Sequence, residues 1–200
     1  HFPYQDSNPL ASQWQDTLNA LRSDLSVSEV ILSGGDPLSL SDKKLANMVK
    51  ELEKIPHLKR LRIHTRLPLV LPERINTKLL SWLSETRFQV VMVIHANHAN
   101  ELADDVAHAL SSLSGINVQL LNQSVLLKGI NDSVKELANL SERLFELGVM
   151  PYYLHLLDPV AGAAHFDVSQ THGIKLVEQL RKQLSGYLVP RLVREQQGEP

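Results

Sequence analysis

Short apolar segments alternate with amphipathic segments five times along this chain. In the amphipathic segments the apolar residues recur at helical spacing, as at Leu137, Leu140 and Leu144. The apolar segments are typical of buried strands and cover residues 27–33, 58–64, 88–95, 116–121 and 149–156. Because strands that alternate strictly with helices form parallel sheets with right-handed crossovers, the sequence predicts an α/β fold. The pattern alone leaves open an open doubly wound sheet or a barrel.

Polar residues concentrate at the carboxyl ends of these predicted strands. They are Asp36, Thr65, Arg66, His95, Asn97, His98, Asn122, Gln123, His155 and Asp158. The opposite ends of the strands carry plain turns, such as residues 55–57 and 85–87. In both candidate architectures ligands bind at the carboxyl ends of the strands, so the one-sided distribution predicts a binding site there.

The first predicted strand leads directly into Gly34, Gly35, Asp36 and Pro37. Two glycines permit positive φ angles or close approach of a ligand to the backbone. Pro37 biases Asp36 away from the helical region and holds its carboxylate in an extended loop. This stretch therefore predicts either a ligand-binding turn or an ordinary connection to the next helix, which Ser41 can cap.

Composition narrows the function classes. With 200 residues, 43% hydrophobic and 21% charged, the chain is long and apolar enough for a folded core. A net charge of −2 with dispersed basic residues argues against a nucleic-acid or membrane surface, and cytoplasm is the default expectation. The sequence contains no cysteine, so it can supply neither disulfides nor thiolate ligands.

Several polar residues allow more than one role. His95, Asn97 and His98 suggest either metal ligation or, with the stronger support from their spacing, hydrogen bonding to a polar ligand. Asn131 and Asp132 are expected to cap a helix. Adjacent side chains in a strand alternate in direction, which predicts that Tyr152 and its neighbour Tyr153 point to opposite faces.

Six segments together resemble one family, the lysine 2,3-aminomutases, which are radical S-adenosylmethionine (SAM) enzymes. The opening stretch at residues 33–38, SGGDPL, resembles the S/T-GGDPL segment of that family. The others, in family order, are residues 65–75, 95–101, 122–132, 151–155 and 185–190. Residues 1–4, 163–166 and 198–200 look most like the branch that makes β-lysine for modification of translation elongation factor P. The branch of lysine catabolism is the nearer alternative.

The resemblance implies a partial (βα)6 barrel, with strands two to six in this chain. It implies a barrel core at residues 1–186 and the start of a C-terminal segment for pyridoxal phosphate (PLP) and substrate at residues 187–200. It places the CxxxCxxC motif for a 4Fe-4S cluster before His1 and the PLP-binding lysine beyond Pro200. No catalytic or metal-ligating residue is therefore expected within these 200 residues.

The resemblance also implies roles for individual residues. Gly34, Gly35 and Asp36 match the segment that binds the methionyl amino group of SAM. Further SAM contacts are expected from His95, Asn97 and Gln123, with Gln123 the best supported. The acids for the side-chain ammonium of lysine match Asp158 and Glu195, where catabolic enzymes carry Asp at the second position. The residues expected near PLP are Tyr152 and His155, and catabolic enzymes carry Tyr at the latter.

The implied activity is that of an isomerase that moves the amino group of L-lysine from C2 to C3. It implies three cofactors, a 4Fe-4S cluster, SAM and PLP, and a reductant such as flavodoxin. The elongation factor P branch adds that factor and its β-lysine ligase as functional partners. Two alternatives of other classes remain: a metal-dependent barrel hydrolase that uses His95, His98 and Asp158, and a non-catalytic SAM-binding module.

Overall fold

The fold is a parallel α/β fold, seen in a computed structural model that describes residues 9–158 and 162–194. Six strands form the sheet in the order β1-β2-β3-β4-β5-β6. They are β1 (Glu29–Leu32), β2 (Arg60–His64), β3 (Gln89–Ile94), β4 (Gln119–Leu126), β5 (Val149–Leu156) and β6 (Arg191–Val193). The helices are α1 (Pro9–Ser23), α2 (Asp42–Glu53), α3 (Leu67–Val70), α4 (Thr77–Glu85), α5 (Asp104–Ser114), α6 (Val134–Glu146) and α7 (Gln170–Gln183).

The predicted alternation of strands and helices is confirmed, but two strands differ from the prediction. Beyond the five predicted strands the sequence suggests one more extended piece at residues 187–193, and in the structure residues 191–193 form the short strand β6, which pairs in parallel with β5. The fourth strand was expected to end at Leu121, yet β4 continues to Leu126. Polar residues such as Asn122, Gln123 and Ser124 are typical of loops, but here they lie within the strand. The boundary expected between residues 186 and 187 stays a prediction.

One compact unit comprises residues 9–93 and 112–119 of the described chain. In it β1 pairs with β2 and β2 with β3, so that Val30, Leu61 and Val90 lie side by side. Alternate residues of β2 are fully buried, as expected for a strand with one face against a core. The largest buried side chains of this unit include Leu45, Leu52, Leu61, Ile63 and Leu79.

The other compact unit comprises residues 94–111, 120–158 and 162–194. Its strands β4, β5 and β6 are parallel neighbours. The core of this unit joins the two longer strands to α6 and α7, and consists of Leu126, Leu137, Leu154, Leu156, Val168, Leu176, Val177 and Leu180. One face of β4 and β5 is thereby committed to the helices, which leaves the alternate residues of these strands on the opposite face.

Helix boundaries follow recognisable capping residues. Ser41 caps α2 by accepting a hydrogen bond from the Lys44 N–H, as its position in the sequence suggested. Gly148 has a φ of 73° and closes the chain after α6, the role expected of a C-terminal glycine. None of the helices in the described ranges is long and apolar enough to cross a membrane.

Candidate functional site

The glycine pair after β1 has the backbone conformation that the sequence predicts. Gly34 has a φ of 83° and Gly35 a φ of 62°. Both angles lie in the left-handed region, where a residue with a Cβ atom is strained. The chain therefore needs glycine at both positions to turn sharply at the carboxyl end of β1.

Asp36 fixes this turn to the end of β2. Its Oδ1 accepts hydrogen bonds from the Leu38 N–H at 3.0 Å and from the Thr65 hydroxyl at 2.7 Å. Its Oδ2 accepts from the Arg66 N–H at 2.7 Å. A carboxylate offers about four lone-pair sites, so three donors leave room for about one more. The carboxylate is thus largely engaged in bracing two loops, with capacity for a single further donor.

Arg74 holds the segment that follows this turn, residues 38–42, a role that could not be recognised in the sequence. Its guanidinium donates to the carbonyl oxygens of Leu38 at 2.7 Å and Leu40 at 3.1 Å. It also forms an ion pair with Asp42 at 2.7 Å. Nothing in the local sequence marks this arginine, because its partners lie more than thirty residues away.

In the second unit, buried polar side chains hold the loop that follows β3. The Asn122 side chain accepts from the Ala96 N–H at 2.8 Å and donates to the Ala96 carbonyl at 3.1 Å. The Ser124 hydroxyl also donates to this carbonyl, at 2.8 Å. Residues 122–124 were expected in a terminal loop, but they lie within β4. Their polar groups are tolerated there because each buried group has a hydrogen-bond partner.

Two asparagines complete this loop. The Asn97 side-chain oxygen accepts from the Val125 N–H at 2.8 Å. Asn131 is fully buried and donates to the carbonyls of Asn97 and Val125, each at 2.9 Å, while its oxygen accepts from the Leu127 N–H at 2.7 Å. Of the candidate SAM contacts in this unit, Asn97 therefore already serves a structural role, and His95 lies half-buried immediately after β3.

The expected capping role of Asn131 and Asp132 is wrong by one to two positions. Ser133 caps α6 by accepting from the Glu136 N–H at 3.2 Å. Asp132 instead accepts from the Gly129 N–H at 2.9 Å, within the loop before the helix. Both residues are structural, as expected, but they shape the preceding loop, while Ser133 has the extended backbone that directs its oxygen to the first turn.

His98 is occupied by structural hydrogen bonds. The Asn100 N–H donates to its Nδ1 at 3.1 Å, so Nδ1 is the unprotonated nitrogen of the neutral ring. The protonated Nε2 then donates to Glu136 at 3.1 Å. Within residues 9–158 and 162–194, no group of three His, Cys, Asp or Glu side chains could hold a metal ion. His95, His98 and Asp158, the residues of the hydrolase hypothesis, therefore form no such group with one another.

Gln123 belongs to a row of side chains on the face of the sheet opposite the helices. In the parallel register Gln123 lies beside Tyr153, and Tyr153 lies beside Arg191. Two residues further along the same face, the His155 ring meets the Tyr153 ring edge-on, with centroids 5.7 Å apart. This row combines an amide, an aromatic ring, an imidazole and a guanidinium on one surface.

Tyr152 departs from the prediction that it points away from Tyr153. The register between β4 and β5 shifts between Asn122 and Gln123, which leaves Tyr152 as the extra residue of a β-bulge. The rings of Tyr152 and Tyr153 consequently lie together, with centroids 3.8 Å apart. Alternation of side chains fails here because a bulge interrupts the two-residue period.

Of the two expected lysine-binding acids, Asp158 lies within the described residues and Glu195 does not. Asp158 is exposed and lies two residues beyond β5. Of the residues expected to contact SAM, Gly34, Gly35 and Asp36 belong to the first unit, and His95, Asn97 and Gln123 belong to the second.

Solved structures with a similar architecture define the fold class. Streptococcus suis SuiB, which has also been solved bound to SAM, aligns with 92% of this chain and 43% of its own, with a TM-score of 0.62 and 14% identity. A radical SAM methyltransferase from Sphaerobacter thermophilus aligns with 91% of this chain and 56% of its own, with a TM-score of 0.59 and 17% identity. The chain thus has the α/β fold of these structures.

Sequence relatives define the family within that class. The chain is 52% identical over 200 residues to L-lysine 2,3-aminomutase of Haemophilus influenzae and 48% identical over 200 residues to that of Escherichia coli. It is 37% identical over 193 residues, 96% of its length, to the Clostridium subterminale enzyme. The chain belongs to the lysine 2,3-aminomutase family. No protein-family model matches the sequence.

The matched segment is only part of these relatives. The chain spans 59% of the Haemophilus influenzae protein, 58% of the Escherichia coli protein and 46% of the Clostridium subterminale protein. Lysine 2,3-aminomutases are radical SAM enzymes that use a 4Fe-4S cluster, SAM and PLP. With no cysteine among its 200 residues, the segment does not fit the role of cluster ligand.

Proposed function

We propose that the protein that carries this chain is an L-lysine 2,3-aminomutase, an isomerase that converts L-lysine into β-lysine. The observation that carries the proposal is the 52% identity to an L-lysine 2,3-aminomutase over all 200 residues. When bound, the cluster, SAM and PLP supply the radical and amino-transfer chemistry, and the chain contributes orientation and exclusion of water.

In the first unit, Gly34, Gly35 and Asp36 bind the methionyl amino group of SAM. Left-handed φ angles at both glycines keep the backbone free of Cβ atoms at the end of β1, where the amino group would lie. The remaining acceptor capacity of the Asp36 carboxylate suits one N–H of an ammonium group. The Thr65 hydroxyl and Arg66 N–H hold this carboxylate in a fixed orientation before the ligand arrives.

In the second unit, Gln123, His95 and Asn97 make further contacts with SAM. Gln123 is half-buried and lies on the face of β4 opposite the buried residues that pack against the helices. Asn97 presents the N–H groups of its side-chain amide while the amide oxygen stays bonded to the Val125 N–H. These side chains fit the polar groups of the ribose and adenine better than they fit a metal ion.

The substrate and PLP lie near the end of β5. The carboxylate of Asp158 is exposed beyond that strand and binds the side-chain ammonium of lysine, together with Glu195. Tyr152 and His155 lie near the PLP ring. The bulge at Tyr152 groups it with Tyr153 and His155 in an aromatic surface that suits a flat heterocycle.

The physiological product acceptor is elongation factor P, in the branch where a ligase attaches β-lysine to that factor. His155 and Glu195 stand where catabolic enzymes carry Tyr and Asp, which supports a separate branch. A strain lacking its own aminomutase, supplied with the native gene, is expected to regain β-lysylated elongation factor P by mass spectrometry. Restoration of growth on lysine without modified factor would favour the catabolic branch instead.

The activity itself is tested with the native protein that carries residues 1–200 and whatever flanks them in its gene. After anaerobic reconstitution with iron, sulfide, SAM and PLP, and reduction by flavodoxin or dithionite, it is expected to form β-lysine from L-lysine. Omission of SAM provides the control. Absence of β-lysine from a protein with a fully loaded cluster would contradict the proposal.

A further inference from the structure

We propose that Asn131 is a positioning residue for SAM binding, which acts through Asn97 without contact with the ligand. This inference rests on the proposed function and extends it to a side chain outside the candidate contact set. Asn131 is 0% exposed, so it cannot reach a ligand in the site. Any effect that it has on SAM must pass through the groups to which it is bonded.

Asn97, Val125 and Asn131 form a set of hydrogen bonds, called the interlock below, that joins the loop after β3 to the end of β4. The N–H of Val125 donates to the Asn97 side chain at 2.8 Å, and its carbonyl accepts from Asn131 at 2.9 Å. Asn131 also donates to the Asn97 carbonyl at 2.9 Å. Both backbone groups of Val125 are thus bonded to asparagine side chains, and the two asparagines are bonded directly to one another through the Asn97 carbonyl.

The interlock joins two candidate SAM contacts. Asn97 is one of its members, and Gln123 lies two residues before Val125 on the same face of β4. The side-chain oxygen of Asn131 accepts a hydrogen bond from the Leu127 N–H at 2.7 Å, which anchors Asn131 to the chain just beyond β4. Loss of Asn131 would remove three hydrogen bonds from part-buried backbone groups, so the loop after β3 would no longer be held in one position.

The test compares Asn131→Ala with the unaltered native holoenzyme. The proposal predicts an increase of about tenfold in the dissociation constant for SAM, measured by equilibrium dialysis without reductant. In turnover it predicts a similar rise in the KM for SAM, with kcat at saturating SAM changed by less than about twofold. Asn131→Ser, whose single O–H can donate to only one of the two carbonyls, provides the same comparison if the alanine variant does not fold.

Two controls separate positioning from general destabilisation. Asn76 caps α4 in the other unit by accepting from the Lys78 and Leu79 N–H groups, so Asn76→Ala should lower the melting temperature but leave SAM affinity unchanged. The double variant Asn97→Ala with Asn131→Ala should weaken SAM binding by less than the product of the two single effects. Unchanged SAM affinity in Asn131→Ala and Asn131→Ser, or strictly multiplicative effects, would overturn the inference. If the unaltered protein bound no SAM, the proposed function would fail first, and this inference with it.

Discussion

Asp36 illustrates how much of a candidate binding residue can be committed to structure. Its carboxylate accepts three hydrogen bonds from Leu38, Thr65 and Arg66. These bonds leave capacity for about one donor, so any ammonium bound there would meet a carboxylate that is already oriented. Preorganised acceptors of this kind lose little entropy on binding, which suits a residue that must hold a cofactor in one orientation.

Glu29 is the residue whose titration most clearly affects stability. Burial acts to raise the pKa of Glu29, but hydrogen bonds and charge from Arg60 and Arg62 outweigh it and lower the pKa below its usual 4.5. The pairs measure 2.9 Å to Arg60 and 2.7 Å to Arg62. A lowered folded-state pKa means that the stabilisation is complete above the unfolded-state value and is lost as the pH falls through the folded-state value.

Glu29→Gln should therefore flatten the acid limb of the stability profile. Melting temperatures measured from about pH 6 to about pH 3 should fall less steeply in this variant than in the unaltered protein, and its deficit at neutral pH should shrink on acidification. Glu142, an exposed glutamate on α6, offers the matched control through Glu142→Gln. Parallel profiles for Glu29→Gln and the unaltered protein would contradict this assignment.

Asp158→Ala tests the assignment of the lysine-binding acid. Loss of its charge should reduce kcat/KM for lysine by about a hundredfold or more, because a lysine ammonium would lose its charge-paired partner. Iron content and SAM affinity should stay unchanged, since no cluster or SAM contact is assigned to this residue. Asp16→Ala, at an exposed position of α1, controls for loss of an acidic side chain. Unaltered lysine kinetics in Asp158→Ala would remove the residue from the substrate site.

At the scale of elements, the approach of α7 to the sheet depends on a single glycine. A Cβ atom on Gly173 would lie 3.2 Å from Leu156 and 3.3 Å from both Leu126 and Leu192. Contacts at these distances are tighter than ordinary packing, so a larger side chain must displace three leucines from the core of this unit. The absence of a side chain at Gly173 thus allows α7 to pack this closely against the sheet.

Gly173→Val should destabilise the native protein by about 1–3 kcal/mol through overpacking of this contact. The same change at Gly186, where an added Cβ atom would meet nothing within 4 Å, should alter the unfolding free energy by less than about 0.5 kcal/mol. Chemical denaturation followed by circular dichroism measures both. Equal effects at the two glycines would show that packing against the sheet is not the cause.

The order and type of the major elements could be predicted from the sequence because apolar periodicity is a local signal. The end of β4 could not, since Asn122 and Ser124 look like loop residues until their bonds to Ala96 are known. The bulge at Tyr152 was also hidden, because a change of register depends on the neighbouring strand. The end of β4 and the bulge both depend on hydrogen bonds between strands and loops that are distant in sequence, and local propensity does not report these.

At the scale of the whole molecule, the family could be recognised from ordered motifs, and the relatives confirm it over the full 200 residues. The motifs marked the glycine turn but gave no hint of Arg74 as its brace. The hydrogen bond from Asn131 to the Asn97 carbonyl could not be predicted either, because it joins residues 34 positions apart. Sequence therefore indicates what chemistry a segment serves, while the residues that hold the geometry emerge only from the fold.

The central claim is that the protein carrying this chain moves the amino group of lysine within one molecule. The most direct measurement is nitrogen-15 NMR of product formed from L-lysine labelled at the α-nitrogen, with the reconstituted native protein and SAM. The account predicts β-lysine with the label on C3 and no label in free ammonia. Unlabelled β-lysine, release of labelled ammonia or unchanged lysine from a protein with intact cluster, SAM and PLP would contradict it.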